Sequence, residues 1–293
     1  MTLFVVNEQQ LASAFNGVIS QQTLASGIEL LAINHPMCRA RISLYAGQVF
    51  EWQPSQHQPV LWCSNDSAFN LGKAIRGGIP LCWPWFGPRE QDAQHGFLRN
   101  NVWRLEDYQI LPDKVLIELS ISGSEYSPTW PYRFKVTQKL SLGEKLHQSL
   151  IIENCDEVAF EYGGALHTYF SVISPEHVAL NALNHVDYLD KLSGETKRDG
   201  QVNGVGPQDR VFASSERVVL HDKAGSRTIE IKASGHDSCV VWNPGTAVAK
   251  NMADMHEGAE QEFVCVEPAL INPKTLEPAQ TSTIEQTISV TKL

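Results

Sequence analysis

The chain predicts an all-β protein, with large antiparallel sheets packed as a sandwich. Three observations carry that expectation: apolar and polar residues alternate with period two in many short runs, polar turns separate those runs, and no amphipathic stretch of helical length interrupts them. The elements follow in order. Residues 8–15, EQQLASAF, hold good helix formers and predict one short helix. Strands are expected at 28–33, 39–45 and 48–52. The alternation is clearest in KVLIELSI, where Val115, Ile117, Leu119 and Ile121 share one face, and in RFKVTQKLSL, where Phe134, Val136, Leu140 and Leu142 do. Further strands are expected at 146–153, 158–163, 216–221, 227–232, 238–242 and 283–291. The most polar interval, 193–209 (SGETKRDGQVNGVGPQD), has strands on both sides, so it reads as a long surface loop inside one domain spanning residues 1–293.

Composition bounds the partners. With 42% hydrophobic and 19% charged residues the chain has the material for a packed core. A formal charge of −10 argues against a surface made for nucleic acid or anionic membrane, so any anionic ligand must meet a local cluster of cations. The start, MTLFVVNEQQ, lacks a basic segment and its apolar run ends at Val6, and no run approaches the ~18 apolar residues of a membrane span. A cytoplasmic protein is the expectation, acting as a monomer on a small molecule. Cys38, Cys63, Cys82, Cys155, Cys239 and Cys265 form no CxxC pair and sit among apolar neighbours, and they read as reduced core residues.

The most informative segment is 73–104, KAIRGGIPLCWPWFGPREQDAQHGFLRNNVWR. Gly77 and Gly78 permit positive φ or a close backbone approach, and Pro80, Pro84 and Pro88 keep the segment from becoming an internal helix or strand. It reads as a shaped loop. Arg76 and Arg99 supply planar forks matched to phosphate or carboxylate, and Trp83, Trp85 and Phe86 supply flat apolar area. Lys73 and Arg89 read as solvated charges, and Trp83, Trp85 and Trp242 as core.

RGGIPLCWPWFGP followed by QHGFLRNNVW resembles the hexose-6-phosphate mutarotases, the glucose-6-phosphate 1-epimerases of the aldose 1-epimerase group. The likeness continues through GGALHTYFSV, YLDKLSG and FVCVEPALINP, and so covers the chain from about Gly27 to its end. It implies the large β-sandwich of the galactose-mutarotase-like type and interconversion of α and β anomers of a hexose 6-phosphate, without cofactor or metal. It carries the acid–base pair onto His167 and Glu267, and sugar or phosphate binding onto Arg76, His95, Arg99 and Asp190, with Asp187 the neighbouring alternative to Asp190.

The residues themselves support these roles in part. Glu267 follows the apolar run Phe263–Val266 and precedes Pro268, where a carboxylate is costly unless it reaches solvent or has a task. Read alone, His167 is more often a hydrogen-bonded core residue, and the bland reading of His95 is a turn residue; histidine is also the side chain whose ordinary pKa lies nearest neutrality. HxH, HExxH and paired CxxC spacings are absent, as are GxGxxG, Walker A and GxSxG motifs, which removes the usual metal, nucleotide and hydrolase signals. The alternatives are a mutarotase of free sugars, which has no use for two arginines, and a non-catalytic sugar-binding protein, which has no use for an acid and a base.

Overall fold

The computed structural model describes residues 3–293 and is nearly all β. Three antiparallel sheets form it. An N-terminal meander runs through Val5–Ala14, Gly17–Leu24, Glu29–His35, Cys38–Ser43 and Gln48–Pro54, each paired with the next. A back sheet has the order Val178–Leu180, Val218–Asp222, Arg227–Ser234, Thr281–Lys292, Lys145–Asn154, Phe134–Gly143, Lys114–Gly123, Arg104–Ile110. A front sheet has the order Glu195–Arg198, Asp187–Asp190, Gln208–Phe212, Ser238–Asn243, Phe263–Leu276, Phe160–Leu166, Leu81–Cys82, with Tyr169–Ser171 also paired to Phe263–Leu276.

One apolar cluster joins all three sheets. Val266, Val241, Phe212 and Leu166 of the front sheet belong to it, as do Leu140, Leu150, Ile284 and Ile288 of the back sheet and Leu31, Ile42 and Val49 of the meander. Side chains of this kind contribute roughly 1.5–3 kcal/mol each when fully buried. The alternation read from 115–121 and 134–142 is this burial: those faces are in the core and their neighbours are not.

Two expectations are corrected. Residues 8–15 are not helical; they lie in and just beyond strand Val5–Ala14, which pairs with Gly17–Leu24 across Phe15 (φ 50°) and Asn16 (φ 58°). A two-residue turn with positive φ at both positions suits the strand twist, and the pairing overrides helix propensity. The interval 193–209 is more than a loop, because Glu195–Arg198 folds back on Asp187–Asp190 and Gln208 begins the next strand. Of the cysteines, Cys38, Cys82, Cys239 and Cys265 are buried and Cys63 is half-buried, whereas Cys155 is exposed and not a core residue.

Candidate active site

Strand parity and register assemble the site. Along Phe263–Leu276, Val264 and Val266 enter the main core, so Phe263, Cys265, Glu267 and Ala269 face the other way. Glu267 stands opposite Val240, Cys265 opposite Trp242, and Trp242 opposite Asp209. On the other flank the pairs Ala165–Ala269 and Tyr169–Cys265 bracket His167 and place it across from Glu267. Residues remote in sequence thereby become neighbours on one face.

Glu267 is 1% exposed, and among the described residues neither carboxyl oxygen has a hydrogen-bond partner. His167 is 7% exposed, with Nδ1 3.3 Å from Glu267 Oε1 but out of hydrogen-bonding alignment. Burial raises the Glu267 pKa well above the usual carboxylate range, reinforced by the negative charge of Asp209 and opposed by Lys191 and Arg99. Burial likewise lowers the His167 pKa well below 6.5, helped by His95, Arg99 and Arg76. Burial thus drives both groups toward their neutral forms.

The rings around His167 fix its plane. Tyr169 stacks on it at 4.9 Å and 8°, and Trp242 meets it edge-on at 5.9 Å. His95 lies at 5.7 Å, nearly perpendicular, between His167 and Phe86. The Gly87 amide donates to His95 Nδ1 at 3.1 Å, which leaves Nε2 to carry the N–H. Burial, then Arg99, Lys191 and Arg76, bring the His95 pKa down to about 3, so it serves as a neutral donor.

Arg76 is held by its loop. Gly77 (φ 113°) and Gly78 (φ 62°) pass so close to the chain that a Cβ would lie 2.4 Å from Cys63 Cα and from Val49 O, which is why two glycines follow the arginine. The guanidinium donates to Asp254 Oδ2 through Nε at 3.0 Å, with Nη2 at the same distance, and through Nη1 to the Tyr169 hydroxyl at 3.0 Å. Arg99 donates from Nη2 to Gln94 O at 2.8 Å, while its buried Nε has no partner among the described residues. Arg89 is not simply solvated: it lies 4.6 Å over the Trp85 ring and donates to Thr129 O. Trp83 is fully buried in an aromatic cluster with Phe97, Trp130 and Phe134, as expected of core, whereas Trp242 borders the site.

Asp190 is not brought to this face. It pairs with Arg210, which pairs with the core residue Val241, so its side chain leaves the sheet on the side opposite Glu267. Its carboxylate takes Lys197 Nζ at 2.6 Å, Ser193 Oγ and the Leu192 amide, closing a hairpin. Asp187 is exposed and forked to Arg198 at 2.6 and 2.9 Å. The carboxylate that does share the face of Glu267 is Asp209, whose own pKa burial raises, with Lys191 Nζ 3.9 Å away and near the Phe86 ring. Nothing in the interval around Gly206-Pro207 distinguishes Asp209; four strands must pair before its side is decided.

The donor atoms of His167, Cys265 and Glu267 lie within 4.8 Å of one another, a grouping that sequence spacing cannot disclose. Metal ligation requires deprotonated ligands, and burial holds the Cys265 thiol well above its usual pKa, next to a carboxyl itself pushed toward neutrality. Binding an ion to the trio would release those protons. A cavity of about 640 Å³ lies apart from it, over the meander between Gln22, Arg39, Arg41 and Glu51, with no histidine and no buried carboxylate in its lining.

Comparison with known proteins places this geometry. The aldose 1-epimerase family pattern matches residues 29–289. A Salmonella typhimurium protein provisionally named glucose-6-phosphate 1-epimerase is 32% identical over 283 residues, 94% of each chain, and an Escherichia coli K12 protein of the same provisional name is 34% identical over 86% of each. The crystal structure of a provisionally named mutarotase from Salmonella typhimurium superposes with a TM-score of 0.90 at 31% identity, covering 99% of this chain and 97% of that one. An Escherichia coli K12 aldose 1-epimerase, also provisionally named, shares the fold at a TM-score of 0.71 and 17% identity. The chain belongs to the aldose 1-epimerase family and is an isomerase of the mutarotase type.

Proposed function

We propose that the protein interconverts the α and β anomers of a hexose 6-phosphate, glucose 6-phosphate being the first substrate to test. The observation that carries the phosphate is electrostatic: in a chain of net charge −10, Arg76, Arg99 and Lys191 all act on the buried His167–Glu267 pair. A dianion brought to these cations supplies acceptors for their N–H groups. Charge-assisted bonds of that sort contribute roughly 1.5–3 kcal/mol each. The provisional names of the relatives point the same way.

In the proposed reaction one member of the pair removes the proton of the anomeric hydroxyl and the other delivers a proton to the ring oxygen. The C1–O5 bond breaks, the aldehyde turns about C1–C2, and reclosure on its other face returns both protons. Glu267 is assigned the anomeric proton and His167 the ring oxygen. His95, neutral with Nε2–H, is assigned a hydrogen bond to the sugar, and Asp209 with Lys191 takes the hydroxyl-binding role first expected of Asp190. A second reading, a mutarotase of free aldoses, is favoured by one observation: Arg76 is already engaged with Asp254 and Tyr169. Exchange NMR of glucose 6-phosphate and of glucose, with and without protein, separates the two. Acceleration confined to the phosphosugar supports the proposal, and equal acceleration of both removes the phosphate site.

A further inference from the structure

Three glutamines in the back sheet, Gln138, Gln148 and Gln286, have no exposed surface. Each interrupts an apolar face: Val136 and Leu140 flank the first, Leu146 and Leu150 the second, Ile284 and Ile288 the third, all in the main core. Gln148 and Gln286 are direct cross-strand partners, and Gln138 lies on the next strand, so the amides line up across three strands. Packing alone calls for aliphatic residues here, since a buried amide is tolerated only when fully matched.

These amides are matched, and the line they form leads somewhere. Gln138 Nε2 donates to Gly47 O at 2.6 Å, Gln148 Nε2 to Gln138 Oε1 at 2.6 Å, and Gln286 Nε2 to Gln148 Oε1 and to Thr168 Oγ1, both at 3.0 Å. The Thr168 hydroxyl, between Leu166 O at 3.3 Å and Gln286 Oε1 at 3.2 Å, completes the line. Thr168 follows His167 in the short break between strands Phe160–Leu166 and Tyr169–Ser171. At the far end, Gly47 precedes Gln48, which is itself fully buried and donates to Gly77 O at 2.6 Å and Ile75 O at 3.4 Å, the carbonyls on either side of Arg76.

We propose that this buried amide ladder is a positioning device for the acid–base pair: it fixes Thr168, and through it the His167 ring, in one register with the loop that carries Arg76. The proposal rests on His167 being catalytic. Ladder residues touch no substrate; they act through the backbone of their neighbours.

The test compares Thr168→Val, Thr168→Ser and Gln286→Met with wild type and with His167→Asn. Turnover of glucose 6-phosphate is measured by exchange NMR, Tm by calorimetry, and the His167 ring by long-range ¹H–¹⁵N spectra, with His185 as the reference histidine. The expected result is a fall in kcat of ~10-fold or more in Thr168→Val and Gln286→Met, KM within ~2-fold, displaced His167 signals and unmoved His185 signals. Thr168→Ser, which keeps the hydroxyl, retains wild-type kcat. Loss of Tm with kcat and the His167 signals unchanged would overturn the proposal and leave the ladder a matter of folding only. If Gln286→Met does not fold, Thr168→Val decides. Wild-type turnover in His167→Asn would instead defeat the catalytic reading of His167, and the ring signals would still judge the ladder.

Discussion

Replacing Glu267 by Gln removes an ionisable group whose burial opposes ionisation, so its consequence for stability depends on pH in a calculable way. An unfolded glutamate titrates near 4.5, and the folded one well above it. Between those two values the native chain holds one proton more than the unfolded chain, so native stability falls as pH rises, by about 1.4 kcal/mol per pH unit. His167 acts in the opposite sense: its folded pKa lies well below 6.5, so between those values the native chain holds one proton fewer and stability rises with pH. Above 4.5 the Glu267 slope acts until the buried carboxyl ionises, and below 6.5 the His167 slope opposes it.

Glu267→Gln keeps the shape and deletes one slope. As pH rises from 5 to 7 the variant should gain stability relative to wild type, by up to about 1.4 kcal/mol for each pH unit over which the buried carboxyl keeps its proton. Any fixed cost of placing an amide N–H beside His167 is the same at both pH values and drops out of the difference. Urea unfolding of both proteins at pH 5 and pH 7 reads it directly. The same variant should lose at least ~100-fold in kcat, so a catalytic centre that lowers stability would be visible in one protein. Parallel stability curves for variant and wild type across this range would show that burial does not raise the Glu267 pKa, and would refute the reasoning.

The arginines can be tested separately: Arg99→Ala should weaken use of phosphosugars by ~10–100-fold with little effect on glucose, since one charge-assisted bond is lost, and equal loss on both substrates would assign Arg99 to bracing through Gln94. If Arg76 also meets the phosphate, Asp254→Asn frees it from a partly exposed ion pair worth about 0.2–1 kcal/mol and should lower KM for glucose 6-phosphate by up to ~5-fold; an increased KM would make Asp254 the group that aims Arg76. Turnover should survive exhaustive EDTA treatment, because a positioned acid and base suffice for a hemiacetal; loss of activity with EDTA, restored by metal, would move the His167–Cys265–Glu267 grouping to ion binding. kcat/KM should be bell-shaped in pH, and a profile flat from pH 5 to 9 would remove acid–base control by this pair.

What the sequence discloses follows which forces act locally. The runs at 115–121 and 134–142 alternate because one face of each strand is in the core, and the structure has strands Lys114–Gly123 and Phe134–Gly143 there. Strand Val5–Ala14 is largely exposed on both faces, so no alternation marks it and helix formers mislead. The site divides in the same way. Glu267 is conspicuous as a carboxylate at the end of an apolar run, and the 73–104 segment advertises Arg76 and His95 through its glycines and prolines. Asp209 and Asp190 are indistinguishable until register is known: one residue of parity sends Asp190 away from Glu267 and Asp209 toward it, and that parity is decided by pairing across Gln208–Phe212 and Ser238–Asn243.

Parity also bears on how the pair holds its proton. A protonated Glu267 beside a neutral His167 contains the same number of protons as an ionised Glu267 beside a protonated His167, so one titration curve describes both, and its limbs belong to the pair rather than to either residue. Burial favours the neutral arrangement, while Lys191 and Arg99 pull Glu267 toward its ionised form. A sugar whose hydroxyls meet both groups shifts that balance by little more than one proton moving a few ångströms. In the proposed reaction, opening the ring from one anomer and closing it to the other exchange the roles of acid and base, so both proton arrangements must be reachable. Burial on one sheet face moves the two groups in opposite senses, Glu267 up and His167 down, so the proposed exchange begins with the proton on the carboxyl.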